Sequence, residues 1–238
     1  MSKRDLMMRC GLFGKLSAKR DFIALATPRA FLEVWEPWVQ ACMAASQHQL
    51  GPEWQNAFLT APLWRFWLGA DLSGATALGV FMPSVDGIGR YYPLTLLAVA
   101  DPALSIPPPD LDPQDQWFAR AEEFLLSTLE RSKSFEEIAA RLDDMPVPHV
   151  EPTVSSAKGL SSFGDKTVGA MTAGSTFRNA LTALRQGNHG TSAAASFFWT
   201  EGGGEFPPMA LSARGLPDAF NYSAMLTGKL SGPMIERA

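Results

Sequence analysis

Residues 83–93 read PSVDGIGRYYP and separate two uncharged apolar runs of strand length, 76–82 and 94–100. Two such runs joined by a short polar stretch predict neighbouring buried strands. The stretch holds an aspartate and two glycines, which favour turns because glycine adopts positive φ and aspartate hydrogen-bonds nearby backbone amides. Arg90 stands where the second strand begins, and Asp86 is the nearest carboxylate in sequence. We therefore predict a hairpin corner that an Asp86–Arg90 salt bridge holds in place.

A functional interpretation of the same stretch stays open beside this structural one. Loops held on a rigid frame often carry recognition, so the corner is also a candidate surface that offers Ser84, Asp86 and Arg90 to a partner. The alternative is a small hydrolase-like enzyme that uses these three side chains. A triad of Ser84, Asp86 and a distant histidine has less support, because a chain of this length supplies such a trio by chance. The sequence contains no GxSxG nucleophile elbow, no HExxH motif and no protein-kinase signature, which favours binding over catalysis.

Composition indicates a folded intracellular protein. Of the 238 residues, 46% are hydrophobic and seven are tryptophan, and the net charge of −4 gives no sign of a nucleic-acid-binding surface. Two cysteines without a CxxC pair and three histidines without metal-ligand spacing argue against a disulfide scaffold and a zinc site. No apolar run reaches membrane-spanning length. We expect a cytoplasmic protein with no cofactor, no nucleic-acid partner and no membrane insertion.

Apolar periodicity predicts the elements of the first half. Residues 6–16 indicate a strand whose glycines pack closely against neighbouring backbone, with a phosphate-binding loop as the weaker alternative. Thr27 and Pro28 predict the N-cap and first position of a helix that buries Trp35 and Trp38. Pro37 within that pattern predicts a kink or an end. A second, short helix is expected over 53–59, and a strand over 63–68 completes an antiparallel meander with the two runs around the opening stretch.

The second half predicts helices and strands in alternation. After a proline-rich stretch at 101–113, a possible internal boundary, we expect helices over 116–129 and from a capping box at Ser134 to residue 142. Residues 155–175 have a mobile composition. A helix over 176–185, strands over 193–200 and 206–211 and a terminal helix follow. This order lacks a strict βαβ period, which favours an α/β fold with a mixed sheet and helices on both faces.

Several of these segments together resemble one known family, TagF, an accessory protein of bacterial type VI secretion systems. The resemblance rests on two signatures and two weaker C-terminal segments. The N-terminal signature comprises Gly11-Leu12-Phe13-Gly14-Lys15, Asp21-Phe22, Pro28, Phe31, Trp35 and Trp38, and the second comprises Trp64-Arg65-Phe66 and the opening stretch. The weaker segments are Ser196-Phe197-Phe198-Trp199 and Gly215-Leu216-Pro217. Two positions depart from the family pattern, which tends to have proline where Ser17 stands and glycine where Arg20 stands.

The resemblance implies a single three-layer α/β domain over residues 1–238 and a post-translational repressor of secretion-system assembly. Relatives act alongside or independently of a threonine kinase and phosphatase pair, and some bind a forkhead-associated scaffold protein. Some carry a fused phosphatase domain, for which this chain has no room, so the resemblance implies no catalytic residue. Our candidate partner-binding residues are Ser84, Asp86 and Arg90, together with Lys15 and Asp21 from the first signature.

Overall fold

An antiparallel sheet of seven strands lies at the centre of the molecule, in a computed structural model that describes residues 8–130, 132–152, 160–162, 168–170 and 193–229. In chain order the strands of this sheet are β1 (Cys10–Gly14), β2 (Ile23–Leu25), β3 (Trp64–Leu68), β4 (Ala77–Met82), β5 (Leu94–Val99), β10 (Ala195–Thr200) and β11 (Met209–Arg214). Two small two-stranded sheets pair β6 (Leu104–Ser105) with β7 (Glu151–Pro152) and β8 (Leu160–Ser162) with β9 (Val168–Ala170).

The helices among the described residues are α1 (Arg29–Leu50), α2 (Trp54–Thr60), α3 (Ala70–Ser73), α4 (Asp115–Ser127), α5 (Phe135–Asp143) and α6 (Tyr222–Thr227). Short 3₁₀ turns precede α2 and α6, at Gly51–Glu53 and Ala219–Asn221. The predicted strands and helices of the described residues are present, with ends shifted by a few residues. The predicted mobile stretch 155–175 falls largely outside the described residues, and the predicted helix 176–185 falls outside them entirely. None of the described helices combines the length and apolar character that a membrane span requires.

The strand order corrects one prediction, because the sheet is antiparallel at every described pairing rather than mixed. The order is β11-β10-β3-β4-β5-β1-β2. A helical crossover gives a parallel pair only when it joins neighbouring strands. Here α1 and α2 connect β2 to β3, and three other strands lie between those two. The α/β sandwich itself is confirmed, since helices cover both faces of the sheet.

One helical layer consists of α1, α2 and α6. Trp35 is fully buried and its ring stacks on Phe66 at 4.4 Å, while its indole nitrogen donates to the hydroxyl of Thr95 at 3.2 Å. The indole of Trp38 donates to the carbonyl of Pro217 at 2.8 Å, which ties α1 to the C-terminal segment. The predicted core role of both tryptophans is confirmed.

The other helical layer consists of α4 and α5. It buries, among others, Trp117, Phe118, Phe124, Leu125, Ile138 and Leu142 against β1, β4 and β5. Arg65 on β3 bonds Glu122 of α4, with its Nε 2.6 Å from the carboxylate, so this side chain ties α4 to the sheet. The predicted capping box opens α5, where the amide of Glu137 donates to the Ser134 hydroxyl and the Glu137 carboxylate accepts from the Ser134 amide.

The start of α1 differs from the prediction, and of the two outcomes predicted at Pro37, a kink or an end, the structure excludes the end. The N-cap is Pro28 in an extended conformation, and the helix begins at Arg29. The hydroxyl of Thr27 donates back to the carbonyl of Leu25 at 3.0 Å, and no side chain caps the start of the helix. The helix does not end at Pro37 but continues through it to Leu50. Pro37 is exposed, so water can bond the carbonyl one turn earlier that lacks its amide donor.

Candidate functional site

The loop between β4 and β5 closes on the side chain of Asp86, as the sequence predicted. The Arg90 guanidinium donates to Asp86 Oδ2 across 2.6 Å. The other oxygen, Oδ1, accepts the backbone amides of Arg90 at 2.9 Å and Ile88 at 3.1 Å. The Asp86 amide donates to the Arg90 carbonyl at 3.0 Å, and a bridge between Val85 and Tyr91 closes the base of the loop. The predicted salt-bridged corner is confirmed.

Lys15 is a second cation on the same carboxylate, and the sequence reasoning did not pair it with Asp86. Its Nζ lies 3.0 Å from Asp86 Oδ2. The Lys15 and Asp86 residues are 5% and 4% exposed, so this ion pair is buried, whereas the Arg90 side chain is 51% exposed. Lys15 follows β1 directly. The sequence could have indicated an ion pair here, because a lysine at the end of a predicted buried strand has an ammonium that requires a partner.

Gly14 allows the end of β1 to approach the start of β5. A Cβ at this position would stand 2.1 Å from the carbonyl oxygen of Pro93, and its φ of +130° is one that other residues rarely adopt. Gly11 also lies close to backbone, since a Cβ there would stand 2.8 Å from the carbonyl oxygen of Ala26. These glycines serve close backbone packing, which confirms that interpretation of residues 6–16 over a phosphate-binding loop.

Two opposing effects act on the charge of Asp86. Burial of the carboxylate works to raise its pKa, and hydrogen bonds work to lower it: from the Arg90 amide, the Lys15 ammonium, the Arg90 guanidinium and the Ile88 amide. The four donors prevail and hold the pKa of Asp86 well below its usual range. The carboxylate is therefore ionised at neutral pH. Both cations and both amides bond this carboxylate, so groups of the protein itself balance its charge.

A neighbouring loop, residues 15–22, packs against this corner. The amide of Gly87 donates to the carbonyl of Lys19 at 2.8 Å, and the guanidinium of Arg90 donates to the carbonyl of Arg20. The two loops therefore form one continuous surface at one end of the sheet. We call residues 15–22 and 84–91 together the two-loop surface.

Phe22 covers the buried ion pair from the solvent side. Its ring meets Tyr92 edge to face at a centroid distance of 4.8 Å, and the Lys15 ammonium lies 5.2 Å from the Phe22 ring centre. Phe22 is nevertheless 48% exposed. Beneath it, the hydroxyl of Tyr92 is buried and has no hydrogen-bond partner among the described residues. Burial, and then the negative charge of Glu36, raise the pKa of Tyr92, so this phenol stays neutral.

The structure brings all five predicted site residues to the two-loop surface but does not expose them equally. Lys15, Ser84 and Asp86 are buried, and the carbonyl of Ser84 accepts the Tyr92 amide at 3.0 Å. Asp21 is exposed and Arg90 is half exposed. Direct contact with another molecule is therefore open to Asp21 and Arg90, while the other three shape the loops beneath them.

The sequence analysis did not identify the exposed apolar side chains of this surface. Ile88, at the tip of the corner, is 56% exposed, and Phe22 is 48% exposed. The sequence could have indicated the exposure of Ile88, because an isoleucine between two glycines in a turn has no strand face on which to be buried.

Among the described residues, little near this surface resembles a catalytic site. His149 lies 2.7 Å from the carboxylate of Asp112, in another part of the sequence. No cluster of three or more histidine, cysteine or acidic residues able to hold a metal ion occurs among the described residues. A cavity of about 550 Å³ lies at the opposite end of the sheet, against the start of α1, where its lining includes Pro28, Leu97 and Val99.

Comparison with known families assigns the chain to one of them. A family model described as the TagF N-terminal domain, type VI secretion system-associated, matches residues 11–145, more than half of the chain. The chain belongs to the TagF family. The matched TagF segment contains both loops of the two-loop surface and confirms the resemblance found in the sequence.

A solved structure shares the TagF fold of this chain. The crystal structure of PA0076 from Pseudomonas aeruginosa PAO1 superposes with a TM-score of 0.78 at 30% sequence identity, covering 96% of this chain and 99% of that one. A search of curated proteins found no match. The chain is thus a TagF-family protein associated with type VI secretion, and the arrangement of its elements recurs in a solved structure.

Proposed function

We propose that this TagF-family chain represses assembly of a type VI secretion system after translation, by binding a component of the system in the cytoplasm without turnover. The observation that carries the proposal is the match of residues 11–145 to a domain described as type VI secretion system-associated. The expected partner is the forkhead-associated scaffold protein that the resemblance implies.

The two-loop surface supports a binding role for this part of the chain. Its loops are fixed by internal hydrogen bonds and by a buried ion pair, so little loop ordering is required when a partner docks. The side chains with the chemistry of acids and bases, Asp86 and Lys15, are engaged with each other rather than directed at solvent. Such an arrangement suits a rigid recognition surface.

Secretion measured against the level of the protein tests this proposal. Deletion of the chain is expected to raise secretion, and graded overproduction is expected to suppress it in proportion to dose. The purified chain is expected to bind the purified scaffold protein in a calorimetric titration with a stoichiometry near one. Hydrolysis of a phosphoprotein by the purified chain, or full suppression at levels far below those of the scaffold protein, would contradict binding without turnover.

A further inference from the structure

We propose that the two-loop surface docks onto an acidic patch that contains an apolar pocket on the partner protein, with Phe22 and Ile88 as the apolar contacts and Arg20 and Arg90 as the charged ones. This inference rests on the proposed function and specifies which side chains bind and which chemistry they require. The side chains that make contact are thus largely different from the buried residues that shape the loops.

Two large apolar side chains protrude from loops that are otherwise tightly bonded. Ile88 is 56% exposed and Phe22 is 48% exposed. Isolated exposed apolar residues are ordinary on a protein surface. Here, however, both stand on loops that bond each other at Gly87 and Lys19, so one partner surface can cover both. Aromatic and aliphatic anchors of this kind carry much of the affinity of protein interfaces.

The net charge of the two-loop surface indicates which charge its partner should carry. Residues 15–22 and 84–91 contain four cationic and two anionic side chains, a local net charge of +2 in a chain whose net charge is −4. Lys15 and Arg90 share one oxygen of Asp86, so this cluster of three charged groups retains one positive charge. Arg20 is exposed, and its backbone carbonyl rather than its side chain is the group that Arg90 engages. An acidic surface complements this distribution.

The geometry also favours docking without rearrangement. Arg90 is held by Asp86 while half of its side chain faces solvent, which limits the entropy lost on binding. The partner's carboxylates can therefore meet an arginine that is already oriented. Substitutions of Ile88 and Arg20 are expected to leave the fold intact, because the pair beneath them is held by Lys15, Arg90 and two backbone amides. Phe22→Ser also removes the ring that covers this pair, so its melting temperature is compared before its affinity.

The test measures the affinity of the full chain for the purified scaffold protein by calorimetry. The variants are Ile88→Ser, Phe22→Ser and Arg20→Glu, and the melting temperature of each is checked against the unchanged chain. Matched controls are Phe220→Ser, since Phe220 is 60% exposed away from this surface, and Arg9→Glu at the other end of β1.

We expect each variant of the surface to weaken binding about tenfold or more, as interface anchors do, while the two controls stay within about twofold. Affinity should also fall as salt is raised from about 0.1 to 0.5 M, and this salt dependence should be weaker for Arg20→Glu. If the unchanged chain binds and the three surface variants bind equally well, this surface is not the interface. If the unchanged chain does not bind the scaffold protein, the proposed function fails together with this inference.

Discussion

Removal of the Lys15 ammonium tests most directly whether a buried ion pair stabilises this structure more than an exposed one. Lys15→Met keeps most of the apolar stem and leaves Asp86 Oδ2, in a carboxylate whose side chain is fully buried, with only the half-exposed Arg90 as a charged partner. Breaking a buried pair by removing one partner typically costs about 3–5 kcal/mol of unfolding free energy. Because Arg90 and two amides still bond the carboxylate, we expect the lower end, about 3 kcal/mol.

Arg90→Ala is the matched comparison, since it removes the other cation from the same oxygen. The Arg90 side chain is 51% exposed, so water can replace it, and the expected loss is about 1 kcal/mol. Urea denaturation monitored by tryptophan fluorescence measures both losses as shifts of the midpoint at a constant slope. A loss for Lys15→Met no larger than that for Arg90→Ala would refute the reasoning that burial decides the strength of each contact.

Four further outcomes are expected. The pKa of Asp86 in the folded chain lies below its unfolded value, which is about 4. The ionised carboxylate therefore stabilises the fold fully above that pH, and this contribution declines as the pH falls below it. The difference in unfolding free energy between the natural chain and Asp86→Asn should thus shrink between about pH 5 and 2 in urea titrations. Trp35→Ala should cost about 3–5 kcal/mol by the same method, and a variant that keeps its melting temperature would contradict a core role. Cys10 and Cys42 are buried, and burial raises the pKa of Cys10 to about 11 and that of Cys42 further, so a thiol reagent should modify them only after denaturation. Gly79→Ala should cost about 1–3 kcal/mol or more in thermal melts, since the new Cβ would stand 2.4 Å from the Leu96 carbonyl oxygen; an unchanged melting temperature would show that the sheet yields there.

Local patterns in the sequence predicted most elements because each pattern has a local physical cause. The meander of β3, β4 and β5 follows from uncharged runs separated by turn residues, and the Asp86–Arg90 corner from chemistry four residues apart. The capping box at Ser134 is likewise complete within four residues. Contacts between residues that are near in sequence can be predicted without knowing the order of the strands in the sheet.

The strand order and the Lys15–Asp86 pair depend on contacts between residues far apart in sequence, and the sequence therefore did not predict them. Nothing in a single sequence states that β1 pairs with β5 or that β10 joins β3. The antiparallel arrangement follows from those pairings, as does the approach of Lys15 to a loop 71 residues later. The exposed Phe22 was missed for a similar reason, since its side chain covers a pair that only the folded structure creates.

Counting molecules in cells tests most directly the claim that this chain represses secretion by binding without turnover. The levels of the chain and of the forkhead-associated scaffold protein are measured by quantitative immunoblotting while expression of the chain is graded and secretion is recorded in the same cultures. Binding without turnover predicts half-suppression when the two proteins are present in similar numbers, and a matching shift of that point when the scaffold protein is overproduced. Half-suppression at a small fraction of the scaffold level, unaffected by added scaffold protein, would contradict the claim.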